Sequence, residues 1–423
     1  MGKYISFGNY NKNYIYMILY LIFRALNDCI YSFGYVDIYG NICLFGENAN
    51  IFFMNHALIN NIFCYIGIFI FSAIMIKYEL YLKNKRNDNG NKINSSNSIR
   101  LIHNSPQKSL VYKESQILLN IFLVTFLWVL EDLLISIILS NILKYIDFWS
   151  FKMLFTYLVG KKMFKFQVFR HQIFAISFIS IVCSILLVIS FIYSLNDKNI
   201  IYEEYPEFIP IGILIYLINI IIESFSNWDA KWLMDLKFIS SNKLLMCYGI
   251  LGFIINVLIC IITTFVNCPN DLLGLCKAKK EERQYLDNFV IYFEDLSKQK
   301  LIIIILTFYS LTFSLKSFFY LLTIKHLTPF HVISMPTMYY FLLHIVLGIY
   351  TFVSDKGRIE DNLFKFILEL STCFLAFLSF SIFLEFIELR FCLCNYNLRK
   401  NISRRSANDS YMNYELNSSM IST

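Results

Sequence analysis

The 423-residue sequence is short of charge: Asp, Glu, Lys and Arg make up 16% of it, against roughly a quarter in a soluble domain. A water-soluble globule is excluded as the main architecture. Proline and glycine are scarce, at 6 and 14 residues, which rules out collagen-like or linker-dominated chains. There is no Walker A stretch, so ATP-driven pumping by this chain is not expected. G-x-S-x-G, H-E-x-x-H and dinucleotide fingerprints are missing as well. No Ser/His/Asp set suggests an acyltransferase or protease, and none of the 11 cysteines has zinc-ligand spacing. The expectation is a protein that is not an enzyme and needs no cofactor or metal.

What is present is apolar. Hydrophobic residues make up 57% and aromatics 18%, with a mean hydropathy of +0.55. Such content excludes disorder for most of the chain and points to a polytopic membrane protein. A helix crossing hydrocarbon needs about 20 mostly apolar residues. That criterion predicts ten spans: 13–34, 57–77, 116–138, 144–160, 172–194, 208–226, 244–266, 301–323, 332–353 and 364–389. No cleavable signal pattern precedes the first, so it is read as a retained helix.

The loops test this count independently. The connection 34–56 has no Lys or Arg, whereas 78–115 carries Lys83, Lys85, Arg86, Lys92, Arg100, Lys108 and Lys113. Lys161, Lys162, Lys165 and Arg170 form the next basic turn, and Lys231, Lys237 and Lys243 the one after. Alternation of basic with neutral or acidic loops is the positive-inside pattern. It predicts both termini in the cytosol, in an endomembrane or the plasma membrane. The net charge of +7 is explained by this topology and not by nucleic-acid binding. Residues 84–107 and 395–423 read as disordered cytosolic pieces.

Ten spans divide into two sets of five, 1–197 and 198–394. An odd number per half inverts the second relative to the first, so the expected fold is all-α with two inverted five-helix repeats.

Two stretches carry more than hydropathy. In Phe148 to Ile176 an apolar helix ends in Gly160-Lys161-Lys162, then Gln167 leads into the next helix. In Asn227 to Asn256 a helix exits into a basic link, followed by Ser240-Ser241-Asn242 and the pair Gly249 and Gly252. Both resemble the drug/metabolite transporter superfamily, in particular its nucleotide-sugar-transporter-like branch. Asp229 and Lys231 stand where an acidic–basic pair is usual in that family, and Asn242 where proline is commoner. Thr323 to Leu343, with Thr328-Pro329, is similar to the family's eighth-to-ninth turn. The resemblance implies a secondary transporter that moves a small organic metabolite by alternating access. The competing class is a non-transporting channel, receptor or scaffold subunit. Each motif also has a plain structural reading: Lys161 and Lys162 as interfacial anchors, Gly249 and Gly252 as helix-packing contacts.

Ionisable groups within spans are costly and face partners or wet cavities. Arg24 and Asp28 share a helix face, which suits an ion pair or a substrate contact equally. Glu131 and Asp132 point about 100° apart, so at most one is expected to face a cavity, as a proton-coupling carboxylate; an outer helix end is the alternative for both. Lys152 in the fourth span and Lys316 in the eighth are candidates to meet an anionic substrate, and snorkelling is the other reading of Lys316. In the family resembled, a fourth-helix lysine contacts substrate phosphate, which implies that role for Lys152. Glu223, Glu369 and Glu385 read as interfacial, and Tyr157, Trp228, Trp232 and Tyr248 as an aromatic belt. Cys268 and Cys276, in an external loop, are candidates for a disulfide. The partners expected are thus the bilayer and a small, anionic or nucleotide-linked molecule. Lys152→Ala is expected to slow uptake with little loss of expression; unchanged transport kinetics would remove Lys152 from the site.

Overall fold

The computed structural model describes residues 5–7, 13–33, 56–93, 114–135, 151–166, 169–196, 209–266, 278–280, 283–298, 300–333, 359–389 and 401. Among them run α1 (Tyr14–Phe33), α2 (Ala57–Ile93), α3 (Glu114–Leu134), α4 (Phe151–Lys162) and α5 (Arg170–Asn196). They are followed by α6 (Ile209–Leu236), α7 (Ser241–Phe265), α8 (Phe289–Lys298), α9 (Lys300–His326) and α10 (Ile359–Phe383). Four three-residue strands, β1 (Ile5–Phe7), β2 (Ala278–Lys280), β3 (Arg283–Tyr285) and β4 (Ile387–Leu389), form two antiparallel pairs, β1–β4 and β2–β3.

Four of the described helices are long and apolar enough to cross a membrane: Ala57–Lys85, Ser115–Leu134, Ser241–Phe265 and Ile302–His326. Their outward faces are apolar, and their buried faces carry polar residues among the apolar ones. On α7, Phe253, Leu258 and Ile262 are exposed while Ser241, Asn242 and Asn256 are buried. On α9, Ile303, Ile304 and Phe308 are exposed while Thr312, Ser314 and Thr323 are buried. That is the reverse of a water-soluble helix and suits lipid as the surrounding solvent.

Some expectations shift. The stretch 84–93 is helical, as the last turns of α2. Extending an existing helix adds one hydrogen bond per residue without a second nucleation cost, which offsets the low helix propensity of Asn84, Asn87, Asp88, Asn89, Gly90 and Asn91. The expected tenth span stops at Phe383; a turn with Glu385 at φ 63° then redirects the chain into β4. The expected ninth span, 332–353, lies almost wholly outside the described residues, as do 136–150 and 94–107.

The chain forms two compact units, and neither coincides with 1–197 or 198–394. One gathers Met1–Met17, Tyr145–Glu204 and Leu327–Thr423, the other Ile18–Lys144 and Tyr205–His326. Each therefore draws segments from both halves of the sequence.

In the first unit α5 packs on α10, where Ser379 Oγ donates to the Ala175 carbonyl at 2.6 Å. Strand β1 pairs with β4, Ile5 opposite Leu389. Tyr14 Oη donates to the Leu384 carbonyl at 2.9 Å, and His171 Nε2 lies 3.4 Å from Glu385 Oε1. The turn after α10 is thus held by side chains from α1 and α5.

In the second unit α2 is central, packed on α7 and α9. Small residues allow both approaches. A Cβ on Gly67 would meet Ser310 Oγ at 2.2 Å, and Ser310 Oγ itself donates to the Phe63 carbonyl at 2.8 Å. A Cβ on Gly249 would lie 2.9 Å from the Phe69 backbone nitrogen, and one on Gly252 would lie 2.3 Å from the Tyr65 ring. The glycine pair is the helix-packing contact that its spacing predicts.

Polar clamps close both ends of this bundle. At one, Glu79 accepts from Ser240 Oγ at 3.0 Å and from Asn242 Nδ2 at 2.7 Å. At the other, Asp287 is hydrogen-bonded to His56 Nδ1 at 2.9 Å and to the Ile59 N–H at 3.0 Å, and Asn288 Nδ2 donates to the Thr264 carbonyl at 3.3 Å. Between His56 and Glu79 the chain climbs about 35 Å at about 1.5 Å per residue, close to the thickness of hydrocarbon.

Gly252→Ala is expected to destabilise the detergent-solubilised protein by about 1–3 kcal/mol through overpacking. In a Tyr65→Leu background the same change should cost measurably less. Thermal unfolding of the four proteins in this cycle checks it; strictly additive effects would show that the Tyr65 ring does not rest on Gly252.

Candidate functional site

The site lies in the second unit, between the two clamps. Helix α3 brings Asp132 to the α2–α7 crossing, where Tyr65 Oη donates to Asp132 Oδ2 at 2.7 Å. Tyr248 Oη donates to the same oxygen. Tyr65 stands one helical stretch of about 13 Å from the His56 end, and Tyr248 about 12 Å from the Ser240 end, so the carboxylate is well inside the apolar run. The Tyr65 and Tyr248 rings meet edge to face at 5.3 Å, and Trp128 meets Tyr248 at 5.7 Å. Trp128 and Asp132 are four apart on α3 and share a face.

A second cluster lies alongside it in this unit. Thr312 on α9 donates to Asn27 Oδ1 on α1 at 3.3 Å, and this contact brings the neighbouring Asp28 within Coulombic reach of Lys316, one turn further along α9. Arg24 and Asp132 also act on Lys316 through their charges. Arg24 itself pairs with Asp28 at 3.6 Å and donates to Tyr20 Oη at 3.0 Å. Tyr20 meets Tyr320 edge to face at 5.5 Å, and Tyr320 Oη donates to Asn227 Oδ1. Glu223 acts electrostatically on both Tyr20 and Tyr320, and Glu131 on Tyr320 and Tyr248.

The structure brings Asp28, Glu131, Asp132 and Lys316 together. Arg24 and Asp28 do form the intrahelical pair. Of the two carboxylates of α3, Asp132 is hydrogen-bonded by Tyr65 and Tyr248, while Glu131 acts on Tyr248 and Tyr320 only through its charge. Lys152 is half-buried at the start of α4, in the first unit. Cys268 and Cys276 lie outside the described residues. Glu223, expected at an interface, is buried in the middle of α6. Tyr248, expected in a belt, bonds Asp132 instead. Trp228, 3% exposed, faces the interior too.

Sequence reasoning missed Tyr65, Trp128, Tyr320 and Asn227. One signal was available: Asn219, Glu223 and Asn227 recur at four-residue spacing in an apolar run, which marks one polar helix face. The tyrosines left no such trace, since their partners lie on other helices.

At the exit of α6, Lys231 bonds Asp235 at 3.1 Å and the Lys325 carbonyl at 2.6 Å. Asp229, two residues earlier on α6, is buried, and desolvation pushes its carboxyl up to about 6.

No protein-family model matches the chain, and no curated protein matches it. Fold and composition define the class: a helical, membrane-embedded protein with a polar, charged cluster inside its apolar bundle.

Since the folded state raises the Asp229 pKa above its unfolded value of about 3.9, the fold favours the protonated form. Its contribution to stability is then full below about pH 4 and is lost as pH rises towards 6. Asp229→Asn is expected to flatten that part of the melting-temperature profile between pH 4 and 6.5; an unchanged slope would show that Asp229 is not desolvated.

Proposed function

We propose that this protein is a secondary-active transporter that moves a small organic metabolite by alternating access, as its resemblance to the drug/metabolite transporter superfamily implies. One observation carries the reading: Asp132, held by two tyrosines inside an apolar bundle, lies within Coulombic reach of Lys316, which in turn feels Asp28 and Arg24. Charge in hydrocarbon is destabilising by a few kcal/mol per group on insertion scales. A protein whose task is only to span or to scaffold gains nothing from keeping so many of them there.

The chemistry available is binding and proton exchange. A carboxylate with two hydroxyl donors can release and recover a proton as its surroundings alternate between wet and dry. Ten spans, two inverted repeats and cytosolic termini belong to this reading, supported by the loop charges and by helices lying on nine of the ten expected segments.

The test is flux in proteoliposomes containing the full chain. Vesicles preloaded with nucleotide sugars, amino acids, short peptides or organic ions are expected to exchange at least one class faster than protein-free vesicles. Asp132→Asn should cut the stimulation by an imposed pH gradient at least about tenfold while the protein still purifies as a folded monodisperse species. Flux equal to that of empty vesicles for every class would overturn the proposal.

A further inference from the structure

Within the cluster, two opposite charges are kept apart. Lys316 makes no ion pair among the described residues; its ammonium lies over the Phe313 ring, 4.3 Å from the centroid. Asp132 receives both tyrosine hydroxyls on Oδ2, and its Oδ1 accepts no hydrogen bond among the described residues. The two charges feel one another, yet they do not approach to ion-pair distance. In low dielectric a lysine and an aspartate this close would collapse together if the chain allowed it. The tyrosine bonds hold the carboxylate toward α2 and α7. The ring of Phe313, three residues back on α9, offers the ammonium a cation–π seat instead.

Neighbouring groups extend the same pattern. Trp128, 6% exposed and one turn from Asp132, has an indole N–H without a partner. Asn227, fully buried, accepts from Tyr320 through Oδ1 while its Nδ2 donates to nothing among the described residues. Unmet donors in a membrane interior are costly, and they await an acceptor.

We propose that this site binds a zwitterion of the amino-acid type, its ammonium on Asp132 and its carboxylate on Lys316. Such a molecule satisfies both separated charges at once and brings no net charge into the bundle. A simple anion would meet Lys316 but would face Asp28 and Asp132 unscreened. A simple cation would meet Asp132 and face Arg24 and Lys316. This inference rests on the transporter reading for its biological sense, but the binding chemistry can be tested without flux.

The experiment uses the purified full chain in detergent with three probes: L-phenylalanine, its carboxamide (cation only) and 3-phenylpropionate (anion only). L-Leucine with its corresponding single-charge analogues repeats the series. Thermal stabilisation and competition are expected to rank each zwitterion above both analogues by at least about tenfold in apparent affinity. Lys316→Met should abolish the preference of zwitterion over carboxamide, and Asp132→Asn that of zwitterion over phenylpropionate. Because Asp132→Asn keeps an oxygen for the tyrosines, it guards against a result that merely reflects unfolding. Equal binding of zwitterion and either analogue, or no binding of any zwitterion by a folded protein, would overturn the inference. Flux of another metabolite class without zwitterion binding would remove this inference and leave the transporter reading standing. Zwitterion binding without flux of any class would do the opposite.

Discussion

Hydrocarbon supplies no hydrogen bonds, so every polar atom between the two clamps of α2 must find its partner within the chain. That constraint organises the second unit. Asp287 ties α2 to the start of α8, and Glu79 ties its far end to the cap of α7. Between them the helices must approach closely enough for Tyr65 and Tyr248 to reach Asp132. Gly67, Gly249 and Gly252 make that approach possible, since a methyl group at any of them would strike a neighbouring helix. Packing and polarity are therefore one problem here: the glycines set the helix spacing, and the spacing sets the hydrogen bonds.

Charge placement follows from the same economy. Arg24 answers Asp28 on its own helix, whereas Asp132 is answered by neutral hydroxyls from two other helices. Hydroxyl donors satisfy a carboxylate without cancelling its charge. A lysine in the same place would have neutralised it and sealed the cluster as structure. Keeping Lys316 on an aromatic ring has a matching effect from the other side. The outcome is an interior with charge available, which is what ligand or proton binding needs.

Much of the helical framework was legible in the sequence. Apolar length alone located α1, α2, α3, α5, α6, α7 and α9 to within a few residues at their starts, because the demand for about 20 apolar residues is local. Glycine spacing revealed a packing contact at Gly249 and Gly252 for the same reason. The candidate site was half legible. Asp28, Glu131, Asp132 and Lys316 announce themselves as charges in apolar runs. Tyr248 and Glu223 were misplaced because a helix-end position looks alike from hydropathy whether the side chain turns to the interface or to a neighbour. The end of α10 was misjudged on similar grounds: Ile387 to Leu389 is apolar enough to extend a helix, yet Glu385 adopts a left-handed backbone and the strand pairs with β1.

Composition and periodicity by themselves determined that the chain is helical, that it lives in a bilayer, and which few residues bring charge there. Those properties depend on each segment's own exchange between water and lipid. Which helices become neighbours was decided only by the tertiary structure. The two units each combine both halves of the chain, and the partner of Asp132 comes from residues 67 positions before it and 116 after it. Contacts at such separations depend on the shape of whole helix faces, a property that no local window of sequence contains.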